Sequence, residues 1–256
     1  MVAHRVIATG YVLQLRAFAR SRFNVMTVAL MPLFYSTIAF FLFRAGGNRQ
    51  TLLWVALGAG LMGIWSSTLV GSGGALQRER WAGTLELLVA APAPFVSALI
   101  PMTLATATFG IYSLASTLVW GRLAFGMPLD LAHPVLFVLA IPATVLALGF
   151  LGLVLASTFI LYRQAFALSN MLEYPIWLVT GLLVPLSLLP GWVEPLSWVL
   201  GPTWGVRALR EAAEGGGAWP EIGMCLGLAL VYLALGTFFL HVFERLARRQ
   251  ATLALT

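Results

Sequence analysis

Six continuous apolar runs, at residues 24–43, 52–76, 95–120, 134–161, 168–189 and 222–241, constrain this chain more than any other feature. Each is long enough to carry a helix across roughly 30 Å of hydrocarbon, which takes about 20 residues. They are continuously apolar, whereas barrel strands alternate lipid-facing and lumen-facing residues in pieces of about ten, so helices are expected. Only 9% of the 256 residues are charged, and 60% belong to the hydrophobic set. A soluble domain carries roughly 25% charged residues. A core cannot absorb that much apolar surface, so lipid must be the solvent for much of it. No polar block is long enough for a second domain, and residues 1–256 are expected to form one all-α integral membrane domain with six transmembrane helices. The first run is too long for a signal-peptide core, starts only after 23 residues and has no A-x-A-like site behind it, so it reads as a retained span.

Six spans put both termini on one side. That side, with the loops after the second and fourth spans, holds ten arginines (5, 16, 20, 22, 78, 80, 163, 245, 248 and 249), and the other holds five (44, 49, 122, 207 and 210). The bias puts both termini, and the loop around residue 80, in the cytoplasm.

The cationic residues also exclude chemistry. The fifteen basic side chains are all arginine, so the chain has no phosphate-loop lysine and no Schiff-base lysine. Any ATP it uses is bound by another polypeptide, and no enzyme activity is expected of this chain. The arginines cluster at the edges of apolar runs, where they meet lipid headgroups; no nucleic-acid partner is expected. Cys225 is the single cysteine and His4, His133 and His241 are scattered, which leaves no disulfide and no metal-ligand set. No cofactor is expected on the chain itself.

Two segments outside the runs carry their own pattern. Over residues 1–23, Arg5, Thr9, Arg16 and Arg20 share one helical face, with Ile7, Tyr11 and Phe18 opposite. This suits an interfacial helix with arginines toward headgroups; a basic tail is the alternative. Residues 190–220 carry Trp192, Trp198, Trp204 and Trp219, broken by Pro190, Pro195 and Pro202. They read either as short helices re-entering the outer leaflet or as a plain outer loop.

Glu173 is the only acid well inside an apolar run, with Ser169 and Asn170 four and three residues before it. A carboxylate in the membrane needs a partner, water or protonation, so these three residues are candidates for a substrate path or gate. A structural hydrogen bond closing a helix contact is the competing reading, and an ion-coupled carrier built on Glu173 is a third. A further alternative is a six-span intramembrane protease using Ser72, in "VGSGGAL", with His241. Gly71, Gly73 and Gly74 there equally suit close helix packing.

The stretch "QRERWAGTLELLVAAPAP" at 77–94 interrupts the apolar pattern with Arg78, Glu79, Arg80 and Glu86. Up to Ala91 it holds no proline, and Trp81, Leu85 and Leu88 fall at i, i+4 and i+7. The pattern predicts a short amphipathic helix over 77–92, lying on headgroups or inserted into a groove of a partner protein. "RERWAGTLELLVAAP" resembles the Glu-Arg-x-x-Gly-Thr-x-Glu-x-Leu signature of ABC-2 type permeases, the membrane subunits of ATP-binding-cassette exporters, and it falls between spans two and three, where that family carries it. "GLLVPLSLLPGWVEPLSWVLGPTWGVRALREAAEGG" is similar to that family's Gly-x-x-x-Pro and Leu-Pro-x-Trp pattern before the last span.

The resemblance implies a half-transporter of a bacterial or archaeal cytoplasmic membrane. Two permease subunits, identical or different, would pair in the lipid. Each would engage a separate nucleotide-binding subunit, which holds ATP and Mg, through a cytoplasmic coupling helix. The signature positions are Glu79, Arg80, Gly83, Thr84 and Glu86; Arg78 flanks them, and Trp81, directly after Glu-Arg, departs from the common pattern. The expected cargo is a small amphipathic, drug-like or lipid-like molecule exported by alternating access.

Overall fold

The structure is a computed structural model that describes residues 2–44, 49–74, 79–84, 87, 94–127, 129–159 and 165–250. Among these residues there are helices and turns and no strand. Helix α1 is Val2–Arg20, α2 is Arg22–Arg44 and α3 is Arg49–Leu69, which runs into a π-helical turn at Val70–Gly74. Helices α4 (Val96–Phe109) and α5 (Ile111–Phe125) follow, then α6 (Pro134–Phe159) and α7 (Ala165–Val179). A 3₁₀ turn at Leu186–Leu188 leads to α8 (Val193–Trp198), α9 (Gly201–Glu214) and the long α10 (Trp219–Gln250).

Among the described residues, four helical stretches are long and apolar enough to cross a membrane: one opening at Leu52, then Val96–Phe125, Pro134–Phe159 and Trp219–Arg245. Helix α2 is apolar over the shorter Val25–Ile38. Helix α6 is apolar on every side, the mark of a buried or membrane-spanning helix; it packs on α10, α9, α4 and α3 and leaves Val135, Val138 and Leu139 exposed. Helix α3 is the second axis of the fold, with Leu57, Leu61, Ile64 and Trp65 almost fully buried. Its glycines let neighbours approach to backbone contact. A Cβ on Gly63 would lie 1.7 Å from Ser113 Oγ of α5, and one on Gly71 would lie 1.9 Å from Thr106 Oγ1 of α4.

The third apolar run divides at Gly110 into α4 and α5, and beside it Ser67 of α3 donates to the Thr106 carbonyl at 3.0 Å. Helix α1 packs on α4: Gly10 meets Pro101, Tyr11 OH donates to Thr108 Oγ1 at 2.9 Å, and the Phe18 ring lies 5.7 Å from that of Phe109. Its other face exposes Arg5, Thr9, Arg16 and Arg20, the division read from the helical period.

Helix α7 ends at Val179, ten residues before the end of the apolar run. Gly181 adopts φ +76°, a left-handed turn that stops the helix although the residues beyond it remain apolar. Residues 190–220 are built as packed helices. Pro202 sits in the first turn of α9, Gly215 ends it at φ +96°, and α9 buries one face against α6, α10 and α3. The Tyr232 hydroxyl of α10 pins its start, donating to the Val199 carbonyl and accepting from the Gly201 N–H at 2.9 Å.

Candidate functional site

Three polar arrangements stand out against the apolar frame, and they involve different ends of α3. The first is the charged segment beyond the π-helical turn. Glu79, Arg80 and Trp81 form one helical turn. Gly83 then takes φ +67°, with open space where a Cβ would stand. The chain folds back on itself: Thr84 donates its N–H to the Glu79 carbonyl at 3.0 Å, and its hydroxyl donates to the Glu79 carboxylate. This interlock accounts for three positions of the Glu-Arg-x-x-Gly-Thr pattern. The acid accepts, the glycine permits the turn, and the threonine closes it.

The uninterrupted amphipathic helix expected over 77–92 is therefore broken at Gly83, because a left-handed residue cannot continue a right-handed helix. The tip that results is apolar and open, with Trp81 79% and Leu87 69% exposed. Arg78, Leu85, Glu86 and Leu88 lie outside the described residues.

The entry to α4, just after this segment, is clamped by the end of α10. Phe95 is buried and its N–H donates to Glu244 Oε2 at 3.4 Å, while its ring lies 6.4 Å from that of Phe243. Nothing in the residue pattern signals this pairing, since Glu244 reads as one more charge at the edge of the last apolar run.

The second arrangement surrounds Glu173. Its carboxylate accepts a hydrogen bond from Ser66 of α3. Trp177, one helical turn further along α7, stands edge-on to Tyr35 of α2 and to Tyr174, with centroids 5.1 Å apart in both pairs. Ser66 follows Leu52 by fourteen residues and precedes Gly74 by eight. At 1.5 Å per residue it stands about 20 Å from one end of that stretch and about 12 Å from the other, well inside the apolar length. Ser169 is buried and Asn170 is exposed, so the expected cluster of Ser169, Asn170 and Glu173 is split between two faces of α7. Ser66 and Tyr35 are the partners that sequence reasoning missed.

The third lies at the other end of α3, beside a cavity of about 220 Å³ lined by Trp54, Thr180, Gly181, Arg207, Arg210 and Glu214 among others. Arg210 of α9 donates to the Gly181 carbonyl at 3.0 Å and to the Trp54 carbonyl at 3.3 Å. One side chain thereby ties α9 to α3 and to the turn after α7.

The hydrolytic alternative finds no matching geometry. Ser72 is buried and donates to the Leu69 carbonyl of its own turn at 3.0 Å. His241 is exposed, with Nδ1 2.7 Å from the Thr237 carbonyl of its own helix. Neither side chain bonds the other. Among the described residues no group of three or more His, Cys, Asp or Glu side chains is placed to hold a metal ion.

These features define a multi-pass helical membrane protein whose polar groups serve contacts between helices and an exposed tip. The ABC-2 type transporter family model matches residues 9–213, which covers most of the chain from α1 through α9. The chain belongs to the ABC-2 type transporter family. Membership makes it the permease component of an ATP-binding-cassette transporter, which works with an ATP-binding subunit. No curated protein of similar sequence was found.

Proposed function

We propose that this permease is the membrane subunit of an ATP-driven exporter that moves a small amphipathic, drug-like or lipid-like molecule out of the cytoplasm or its inner leaflet by alternating access. The reading takes six spans, with α2 and α7 added to the four longest helices, and the arginine bias puts both termini in the cytoplasm. The chain itself is no enzyme: ATP and Mg sit on the partner subunit. It works in a bacterial or archaeal cytoplasmic membrane, paired in the lipid with a second permease subunit.

The observation that carries the proposal is the tip at Glu79–Thr84. A rigid turn, interlocked through Thr84 and presenting an exposed Trp81, is a poor structure to leave in water and a good anchor for a groove. An ion pair at a protein surface contributes about 0.2–1 kcal/mol, so docking must rest on burying the exposed Trp81 indole and not on the charges of the segment. The tip lies between the π-helical turn of α3 and the clamped start of α4. Motion of a docked ATPase would therefore reach α3, α4 and α10 together.

The pairing face is read from exposure. Phe34, Ile38 and Phe41 of α2, with Met171 and Tyr174 of α7, face outward and suit either lipid or a second subunit. Extraction from the native host in mild detergent tests the whole reading. A nucleotide-binding subunit should co-purify with the permease, and its consistent absence would sink the proposal.

A further inference from the structure

The arrangement around Glu173 points to the kind of molecule this permease handles. A carboxylate in the hydrocarbon layer is expensive unless it is paired or solvated. The Ser66 hydroxyl meets one of its oxygens. Among the described residues, no arginine or histidine lies within ion-pair distance of Glu173. Of the nine acids in the chain it is the only one well inside an apolar run.

The surroundings repeat the preference. Tyr35, Tyr174 and Trp177 form one ring cluster, with Tyr174 next to Glu173 in sequence and Trp177 one helical turn beyond it. Aromatic faces attract organic cations, Trp most strongly, and more so where water is scarce. The cluster is open on the Tyr174 side, where Tyr174 is 60% and Met171 74% exposed, while Trp177 is buried behind it. Methionine is flexible and polarizable and fits varied apolar shapes. A purely structural hydrogen bond between α3 and α7 would be met by a neutral Gln or Ser at 173.

We propose that Glu173, with Tyr35, Tyr174 and Trp177, forms a binding station for amphipathic substrates carrying a positive charge, such as hydrophobic quaternary or protonated amines. The cation supplies a counter-charge that no described residue gives the carboxylate, and its apolar body lies along Met171 and Tyr174. Ser66 holds the carboxylate in place and is a positioning residue. This inference rests on the permease reading above and names its substrate class.

The test uses the full-length permease in lipid nanodiscs, with tetraphenylphosphonium as the cationic probe and triphenylphosphine oxide as a neutral one of related shape. Wild-type protein should bind the cation at least tenfold more tightly than the neutral probe. Glu173→Gln, which keeps the hydrogen-bond acceptor, should lose at least tenfold in cation affinity and leave neutral binding unchanged. Glu173→Asp should recover part of the loss, and Ser66→Ala should change affinity less than threefold. Equal cation binding by wild type and Glu173→Gln overturns the inference, as does a wild type that does not discriminate between the probes or binds neither. A melting curve for each variant separates lost binding from lost folding. Co-purification of the ATPase is independent of both probes, so failure here leaves the permease reading standing.

Discussion

The Arg210 guanidinium lies over the Trp54 indole, 3.4 Å from the ring centroid, and donates to the carbonyl of that same tryptophan. A cation in a half-buried position is thus held by a ring face, two carbonyls and the left-handed turn at Gly181, which leaves one carbonyl free to accept it. Charge-assisted hydrogen bonds are worth about 1.5–3 kcal/mol each, and a desolvated cation–π contact about 2 kcal/mol.

Arg210→Ala is therefore expected to destabilise the protein by several kcal/mol, read as a clear drop in melting temperature in detergent or nanodiscs. Arg210→Lys should recover little, because an ammonium cannot reach both carbonyls while stacking on the ring. Full rescue by lysine would show that charge alone matters at this position.

The turn at Gly83 gives a second expectation. A Cβ would meet nothing there, so any effect of Gly83→Ala comes from the left-handed conformation, which costs an L-residue about 1–2 kcal/mol. The substitution should weaken capture of the ATPase about tenfold. Gly83→Asn should weaken it less, because Asn tolerates that region. Thr84→Val removes the hydroxyl bond to the Glu79 carboxylate at nearly constant volume, keeps the backbone N–H bond, and should weaken capture in the same direction as Gly83→Ala. Membrane insertion, followed by extraction yield, should be unchanged in all three; a normal pull-down with Gly83→Ala would exclude a tight docking role for the turn.

Ser72 gives a negative control. Its hydroxyl bonds only the Leu69 carbonyl of its own turn, so Ser72→Ala should leave ATP-dependent transport within twofold of wild type. A collapse of activity would revive a nucleophilic role for this serine.

How much of this was legible in the sequence depended on how far apart the determinants lie. The face of α1 followed directly from period 3.6, because Ile7, Tyr11 and Phe18 repeat within one helix. Helix α6 was legible because it is apolar on all sides. The end of α7 was not: the stop is a left-handed glycine inside an apolar run, stabilised by an arginine 29 residues downstream. The partner of Glu173 was hidden for the same reason, since Ser66 lies 107 positions away and serine is common in spans. Around residue 80 the composition marked the segment as an interruption of the apolar pattern. The positive φ of Gly83, which splits the expected helix, depends on the fold-back of Thr84 onto Glu79 and not on helix propensity.

The central claim is that the exposed tip engages an ATPase, and placing a photoreactive phenylalanine at position 81 tests it most directly. Irradiation of native-host membranes should yield an adduct between the permease and a nucleotide-binding subunit, identified by mass spectrometry through peptides of its phosphate loop. An adduct with lipid alone would contradict the account, because it would put the Trp81 side chain on headgroups and leave the permease without its coupling contact.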